Sequence, residues 1–379
     1  MNTLDPAFSN AVSLVFAAND FYAPYLYTLV ASILEHRSGR RAYDIIVLSE
    51  DFSEQNKGLF EELCDKRTSV RFLDVTEALS PFQSKLHVRG HFRIETYFRL
   101  LLPQLLPHHH KVLYLDADMV CLHDIAELYD VELGDNLIAA CKDPDTTGLY
   151  NGSTFDDGHV RTLEYMQEEL GVKDVFQYFQ AGTILFNLDA WRASIDVEEV
   201  FEFAQSREWH LLDQDVLNHF CYGRVTFVDM SWNVMYDFDH VRIRDIISYT
   251  SPELNQAYMK ARKEPRIIHY AGPIKPWEDL EVDFAPHFWQ YARKTPYYEL
   301  IFARYQQKCV RDQLAPLEHH LNVIDDYAHR IDAELLRYER RPVGLMAKEF
   351  VYQKLLTPLA HILTGKEDGI EQIKTRLRG

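Results

Sequence analysis

The 379-residue sequence is sparing with cysteine: Cys64, Cys121, Cys141, Cys221 and Cys309 are odd in number, scattered and without a CxxC pair. That pattern excludes a disulfide-stapled scaffold and a four-thiolate zinc cage, and it predicts reduced thiols. No apolar run reaches the roughly 18 residues of a membrane-spanning helix. The polar start, Met1 to Asn10, lacks the basic-then-apolar order of a secretion signal. The expectation is a cytoplasmic protein, attached to a membrane peripherally at most. Positive charge is also short, because 40 Lys and Arg against 58 Asp and Glu leave a formal charge of -18. Such a chain is repelled by nucleic-acid backbones, so no nucleic-acid partner is expected, and a phosphate-bearing ligand needs local cations or a metal. With 15 Gly, 15 Pro and 47% hydrophobic residues, collagenous and disordered classes are excluded and a folded core is expected.

What is present is an alternation of strands and helices. The run Ala11 to Ala17 has the length and β-branching of a buried strand, and Asn19-Asp20 leads from it into a helical pattern reaching about His36. Tyr43 to Ser49 and Val70 to Val75 read as further strands around a polar helix from about Ser53 to Lys66. Arg93 to Leu106 reads as a helix bent at Pro103, and His108-His109-His110 as an exposed turn before the strand Lys111 to Leu115. Later strands are expected at Leu137 to Ala140, Thr183 to Leu188, Val225 to Val228 and Arg266 to Tyr270. This order predicts an α/β fold with a mostly parallel sheet covered on both faces, and a ligand site at the carboxyl ends of the strands. After about Asp283 the texture becomes helical, which divides the chain into a catalytic unit, 1–283, and a helical C-terminal extension, 284–379. Eight Lys or Arg against four Asp or Glu from Arg340 onward give the tail a local +4. The stretch Val343 to Leu363 carries leucines at helical spacing, suited either to a core or dimer contact or to a membrane surface.

Two constellations carry chemistry. The strand Val112 to Leu115 ends in Asp116-Ala117-Asp118, which sets two carboxylates at the mouth of the sheet, a pairing suited to a divalent ion. Asp-x-Asp also occurs at 143/145, 213/215 and 237/239, but only the first follows directly on an uninterrupted apolar strand. A buried carboxylate there is costly unless it meets a cation or hydrogen-bond donors. The second constellation is Arg266-Ile-Ile-His269-Tyr-Ala-Gly272-Pro-Ile-Lys275-Pro276-Trp277, a strand that delivers His269 to its end. A turn follows in which backbone can approach a ligand and Lys275 supplies a cation. Mixed oxygen and nitrogen ligation points to Mn2+, with Mg2+ as the other candidate.

The set Val-Phe-Ala-Ala-Asn-Asp, Thr96 to Leu100, Leu-Tyr-Leu-Asp-Ala-Asp, Phe179-Gln180-Ala181-Gly182, Asp213-Gln214-Asp215 and His-Tyr-Ala-Gly-Pro-Ile-Lys-Pro-Trp resembles glycosyltransferase family 8 over about residues 11 to 280. These are retaining enzymes of the GT-A fold, a Rossmann-like, mostly parallel mixed sheet with helices on both faces, among them bacterial lipopolysaccharide galactosyl- and glucosyltransferases. The resemblance implies that Asp116, Asp118 and His269 ligate Mn2+ on the diphosphate of a UDP-galactose or UDP-glucose donor. It implies that Ala17, Ala18 and Asn19 hold the uridine, with Asn19 standing where many relatives have an acid. Ala117 would contact the donor, and Gly272 and Lys275 its diphosphate, while Arg99, Asp143, Gln180, Asp213 and Gln214 would surround the donor sugar, Gln180 standing where relatives often have Asn or Ser. Arg99 reads alternatively as a helix-surface cation, and Asp143 and Asp213 as turn or cap residues. The implied acceptor is a saccharide or glycolipid, with contact to the inner membrane face or a homodimer through the tail.

Retention requires either a covalent intermediate or attack from the face of departure, and Gln214 is a poor nucleophile, so same-face attack is expected. Asp-Ala-Asp-Met-Val after a strand also suits a phosphohydrolase of the haloacid dehalogenase type with Asp116 as nucleophile. A non-catalytic sugar-nucleotide binder is the third class.

Overall fold

The computed structural model describes residues 2–39, 41–87, 94–156, 158–159, 161–313, 315 and 329–330. Ten strands are found among them: β1 (Ala11–Ala17), β2 (Ala42–Ser49), β3 (Thr68–Asp74), β4 (Lys111–Leu115), β5 (Met119–Cys121), β6 (Ile138–Lys142), β7 (Phe179–Asn187), β8 (Val225–Phe227), β9 (Val234–Met235) and β10 (Ile267–His269). Seven form one sheet in the order β3-β2-β1-β4-β7-β6-β8, and β5-β10-β9 form a second, small sheet. β1 runs parallel to β2 and β4, β2 to β3 and β6 to β8, while β7 lies antiparallel between β4 and β6. The sheet is therefore mixed and mostly parallel. A mixed, mostly parallel sheet was expected; which strand is reversed, and the short β5 and β9, were not.

The long apolar runs of β1, β2 and β4 follow from burial on both faces. Leu14, Phe16, Ile45, Val47, Leu113 and Leu115 point into one core, where Leu26, Leu29, Val30 and Ile33 of the helix Ala23–His36 meet them. The intervening residues Val15, Ile46, Leu48, Val112 and Tyr114 point into a second core with Phe98, Leu101 and Leu105. Period-two side-chain alternation thus feeds two layers from one strand.

Two expectations change in detail. Arg93 to Leu106 is not one bent α-helix: Ile94–Leu101 is a 3-10 helix and Leu102–Leu105 a short α-turn. Pro103 stands at the start of that turn, where its missing N–H leaves no bond unmade. The three-histidine turn is not wholly exposed either. His108 and His110 face solvent, but His109 is 2% exposed and lies 3.6 Å from the buried Asp44 carboxylate, which also accepts from Arg71 and from the Ala7 amide.

By internal contacts the chain separates into two compact units, Met1–Tyr305 and Gln306–Gly379. The helix Ala285–Ala292 buries Ala285, Phe288, Trp289 and Tyr291 in the first core, so helical texture after Asp283 begins inside the first unit. The amphipathic stretch 343–363 lies outside the described residues. No helix among the described residues is long and apolar enough to cross a membrane, and the five cysteines form no disulfide. Leu113, wholly buried at the centre of the sheet, and Leu163, 55% exposed, give a direct contrast. Leu113→Ala is expected to lower unfolding free energy by about 2–5 kcal/mol and Leu163→Ala by less than about 0.5 kcal/mol, read from urea denaturation midpoints.

Candidate active site

β4 stops at Leu115, and the Asp116 amide still donates to the Gly182 carbonyl of β7 at 2.9 Å. Three residues later β5 begins and pairs antiparallel with β10, which sets Met119 opposite His269, while the Tyr270 amide donates to the Asp118 carbonyl at 2.9 Å. The two turns therefore meet. His269 Nε2 lies 3.2 Å from Asp118 Oδ1 and 3.7 Å from Asp116 Oδ2, and one ligand atom from each residue falls within 4.8 Å of the others. This set fits a divalent cation on its own chemistry: two carboxylates and an imidazole, all carrying lone pairs, face one another in a partly buried space. The packing leaves no room for anything but glycine at 182, because an added Cβ would sit 2.7 Å from Asp116 Oδ2 and collide with the His269 ring.

Cations hold the acids in place. The Arg99 guanidinium, 4% exposed, bonds Asp116 Oδ1 at 2.8 Å and Asp213 Oδ2 at 3.0 Å, donates to the Ala181 carbonyl and lies 4.2 Å over the Tyr114 ring. It is no helix-surface residue. Lys275 Nζ donates to Asp118 Oδ2 at 2.7 Å and to the Tyr270 carbonyl at 2.8 Å. Burial pushes the Asp118 carboxyl up, but the Lys275 ammonium leads the contacts that outweigh it and hold the group well below the ordinary carboxylate range. The turn carrying Lys275 is anchored by Trp277, which stacks on Tyr25 at 3.9 Å, and by Trp289 Nε1, which donates to the Pro276 carbonyl.

Opposite the acidic turn, the helix Asp213–Cys221 starts after Leu212, whose φ of 49° is left-handed. A non-glycine residue held there costs about 1–3 kcal/mol, and strain of this kind gathers at functional sites. Gln214 is fixed at both ends: its Oε1 accepts from the Ala181 amide and its Nε2 donates to Asp143 Oδ2, each at 2.9 Å. Asp143 is the N-cap of the helix Pro144–Tyr150, accepting from the Asp145 and Thr146 amides, so the cap reading and the cleft reading hold together. Burial first, and the neighbouring Asp145 charge second, raise its carboxyl to about 6. Burial likewise lifts Asp213 to about 6 against the pull of Arg99 and Thr96.

These groups line one cleft of about 650 Å³, and every residue singled out in the sequence lies on its wall: Ala17, Ala18, Asn19, Arg99, Asp116, Ala117, Asp118, Asp143, Gln180, Asp213, Gln214, His269, Gly272 and Lys275. Their convergence is geometric; the role of each is a separate matter. Asn19 caps the Tyr22 amide with its oxygen and donates to Glu95 Oε1 at 2.6 Å. Of the other Asp-x-Asp pairs, Asp143 and Asp213 line the cleft, while their second members and Asp237 have partners of their own. Asp145 pairs with Arg242 and Asp215 accepts from the Tyr165 and Tyr178 hydroxyls, while Asp237 accepts from the Ile243 amide. Sequence reasoning missed Tyr114, Asn233 and Arg242. Arg242, 4% exposed, ties Asp145 to the Ala271 carbonyl, and thereby the cleft wall to the turn before Gly272. Asn233 Oδ1 lies 2.9 Å from His269 Nδ1. Neither stands in a run that marks it out, because its partner is distant in sequence.

A mixed α/β sheet with an acidic, cation-ready turn at the mouth of a ligand cleft is the build of a glycosyltransferase of the GT-A fold. The chain belongs to glycosyl transferase family 8, whose family model matches residues 13–281. It is 27% identical over 257 residues to the lipopolysaccharide 1,3-galactosyltransferase of Salmonella typhimurium, covering 65% of this chain and 67% of that one. Among solved structures it is similar to the bifunctional glycosyltransferase WbbM, with a TM-score of 0.72 and 35% identity; the match covers 80% of this chain and spans only 53% of that one. It is also similar to the galactosyltransferase LgtC, solved with donor and acceptor sugar analogs, at a TM-score of 0.59 and 26% identity over 75% of this chain and 96% of that one. The GT-A fold expected from the sequence is thus found. The phosphohydrolase alternative falls with it, since the strand before Asp116 is the fourth of the sheet and not the first.

Asp143 offers a pH test. Its raised pKa means that the folded chain binds the proton more tightly than the unfolded one, a contribution to stability present below about pH 4 and lost as pH rises through about 6. Relative to the wild type, Asp143→Asn should therefore gain on the order of 2 kcal/mol between about pH 4 and pH 7, measured by urea unfolding at each pH. A pH-independent difference would contradict it.

Proposed function

We propose that this chain transfers a hexose, galactose or glucose, from a UDP-sugar to a saccharide acceptor with retention of configuration, the acceptor being lipopolysaccharide or another surface glycan. The observation that carries the reading is the meeting of Asp116, Asp118 and His269 at one end of a cleft large enough for a nucleotide sugar. In this reading Ala17, Ala18 and Asn19 hold the uridine, Gly272 and Lys275 the diphosphate, and Arg99, Asp143, Gln180, Asp213 and Gln214 the donor sugar. Asp116, Asp118 and His269 would hold Mn2+, or Mg2+ in its place. When bound, the ion would supply Lewis-acid stabilisation of the charge that develops on the departing diphosphate.

The chain's own groups do the remainder. Lys275, pinned between Asp118 and the Tyr270 carbonyl, keeps a positive charge beside the leaving group, and charge aimed where negative charge develops favours the transition state over the ground state. Gln214 presents an amide whose two ends are already bonded, so it serves to position and polarise and does not act as a nucleophile. Attack from the face of departure follows, with the leaving phosphate taking the acceptor proton and Asp213 or Gln214 assisting electrostatically. Salmonella's galactosyltransferase supports the choice of galactose and of a lipopolysaccharide acceptor. The basic C-terminal segment is assigned to peripheral contact with the inner membrane face, or to pairing with a second copy. Sedimentation with anionic vesicles that does not exceed sedimentation with neutral ones removes the membrane arm.

The test is UDP release from a panel of UDP-sugars with Mn2+, with and without glycan acceptors. Asp118→Asn should lower metal-dependent turnover about a hundredfold or more, whereas Gln214→Ala should keep a measurable part. An inactive Gln214→Ala with fold and donor binding intact would argue against same-face attack. Donor binding without turnover on any acceptor would favour the non-catalytic binder.

A further inference from the structure

One chain of polar groups, running from the cleft wall into the interior behind the acidic turn, has a direction. The Gly182 backbone N–H donates to Gln180 Oε1 at 2.6 Å, and the same oxygen accepts from Asn233 Nδ2 at 2.5 Å. Asn233 Oδ1 then faces His269 Nδ1 at 2.9 Å. A backbone amide can only donate, so the Gln180 atom that meets it must be the oxygen. The Asn233 atom facing that oxygen must then be the NH2 group, which turns Oδ1 toward the imidazole. Nδ1 must therefore carry a hydrogen. In the neutral ring the unprotonated nitrogen is Nε2, the atom 3.2 Å from Asp118 Oδ1 and 3.7 Å from Asp116 Oδ2.

We propose that Gln180 and Asn233 are positioning residues that set the tautomer of His269, transmitting the polarity of the Gly182 amide so that the Nε2 lone pair faces the space where Asp116 and Asp118 would hold a cation. Partners of this kind fix ring orientation and raise the basicity of a metal-ligating histidine. Asn233 is 5% exposed and His269 2%, so the bond between them is shielded from water, while Gln180 reaches the cleft wall. The glycine at 182 has two uses in the relay. It supplies the amide that starts the chain, and it lacks the Cβ that would strike the imidazole at the other end. Gln180 spends its oxygen on this relay, which leaves its Nε2 for the sugar contact assigned above.

The inference rests on the reading of His269 as a metal ligand, and its test separates the two. Metal-free protein labelled with 15N-histidine is examined by NMR at alkaline pH, and Mn2+ affinity is measured by EPR without any donor sugar. In the wild type the His269 ring should carry its hydrogen on Nδ1. Asn233→Leu and Gln180→Leu should populate the Nε2–H form and weaken Mn2+ binding about 10–100-fold. Gln180→Glu, whose carboxylate can accept from both Gly182 and Asn233, should restore the Nδ1–H form; a merely structural role would not make the tautomer follow acceptor chemistry. A wild-type ring protonated on Nε2, or an unchanged tautomer and Mn2+ affinity in a folded Asn233→Leu, overturns the proposal. Should Asn233→Leu not fold, the wild-type and Gln180 spectra decide. An Nδ1–H ring in a protein that binds no Mn2+ would uphold the relay and sink the metal reading instead.

Discussion

The antiparallel register of β10 on β5, with His269 opposite Met119, is the constraint on which the cleft depends. β5 is the continuation of β4 after a turn of three residues, so this pairing brings two acids at one strand's end within reach of an imidazole about 150 positions away. Side chains alternate across a strand, and a slip of one residue would turn His269 to the opposite face and set Tyr270 or Ile268 in its place. The register is held by burial: Val120, Ile267 and Ile268 are wholly enclosed, and the Tyr270 hydroxyl donates to the Phe284 carbonyl on the far side.

Around that pairing the molecule manages concentrated negative charge. Asp116, Asp118, Asp143 and Asp213 share one cleft in a chain already at -18. Arg99 and Lys275, two cations, contact three of them directly, and Asp143 is met by helix-start amides and by Gln214. Two carboxyls are nonetheless pushed upward by burial while Asp118 is held low, so the cleft separates acids of similar sequence context by their surroundings. The strained Leu212 backbone belongs to the same economy of position, since it turns the start of the following helix toward the cleft.

Much of this was legible along the chain. β1, β2 and β4 were plain because burial on both faces leaves an unbroken apolar run, and Asp116 and Asp118 stood out at the close of such a run, His269 at the end of a short one before a glycine turn. Other elements left no trace of that kind. β5 and β9 are three and two residues long, below any period that can be counted. The 3-10 winding of Ile94–Leu101 differs from an α-helix in its backbone hydrogen bonds, and eight residues are too few for apolar spacing to separate the two. His109 looked like a surface turn residue until Asp44, 65 positions earlier, supplied its reason to be buried.

What the sequence determined by itself was therefore the local: strand and helix content, the acids at the end of β4, the histidine at the end of β10, and the family pattern they form. The reversal of β7, the small second sheet and the identity of the groups that hold the site, Tyr114, Asn233 and Arg242, were decided only in three dimensions. The physical reason is that hydrophobic periodicity records whether a residue is buried, while hydrogen bonds and ion pairs record against what. Partners 36 or 97 positions apart, as in Asn233 with His269 and Arg242 with Asp145, leave no periodic mark on either stretch of chain.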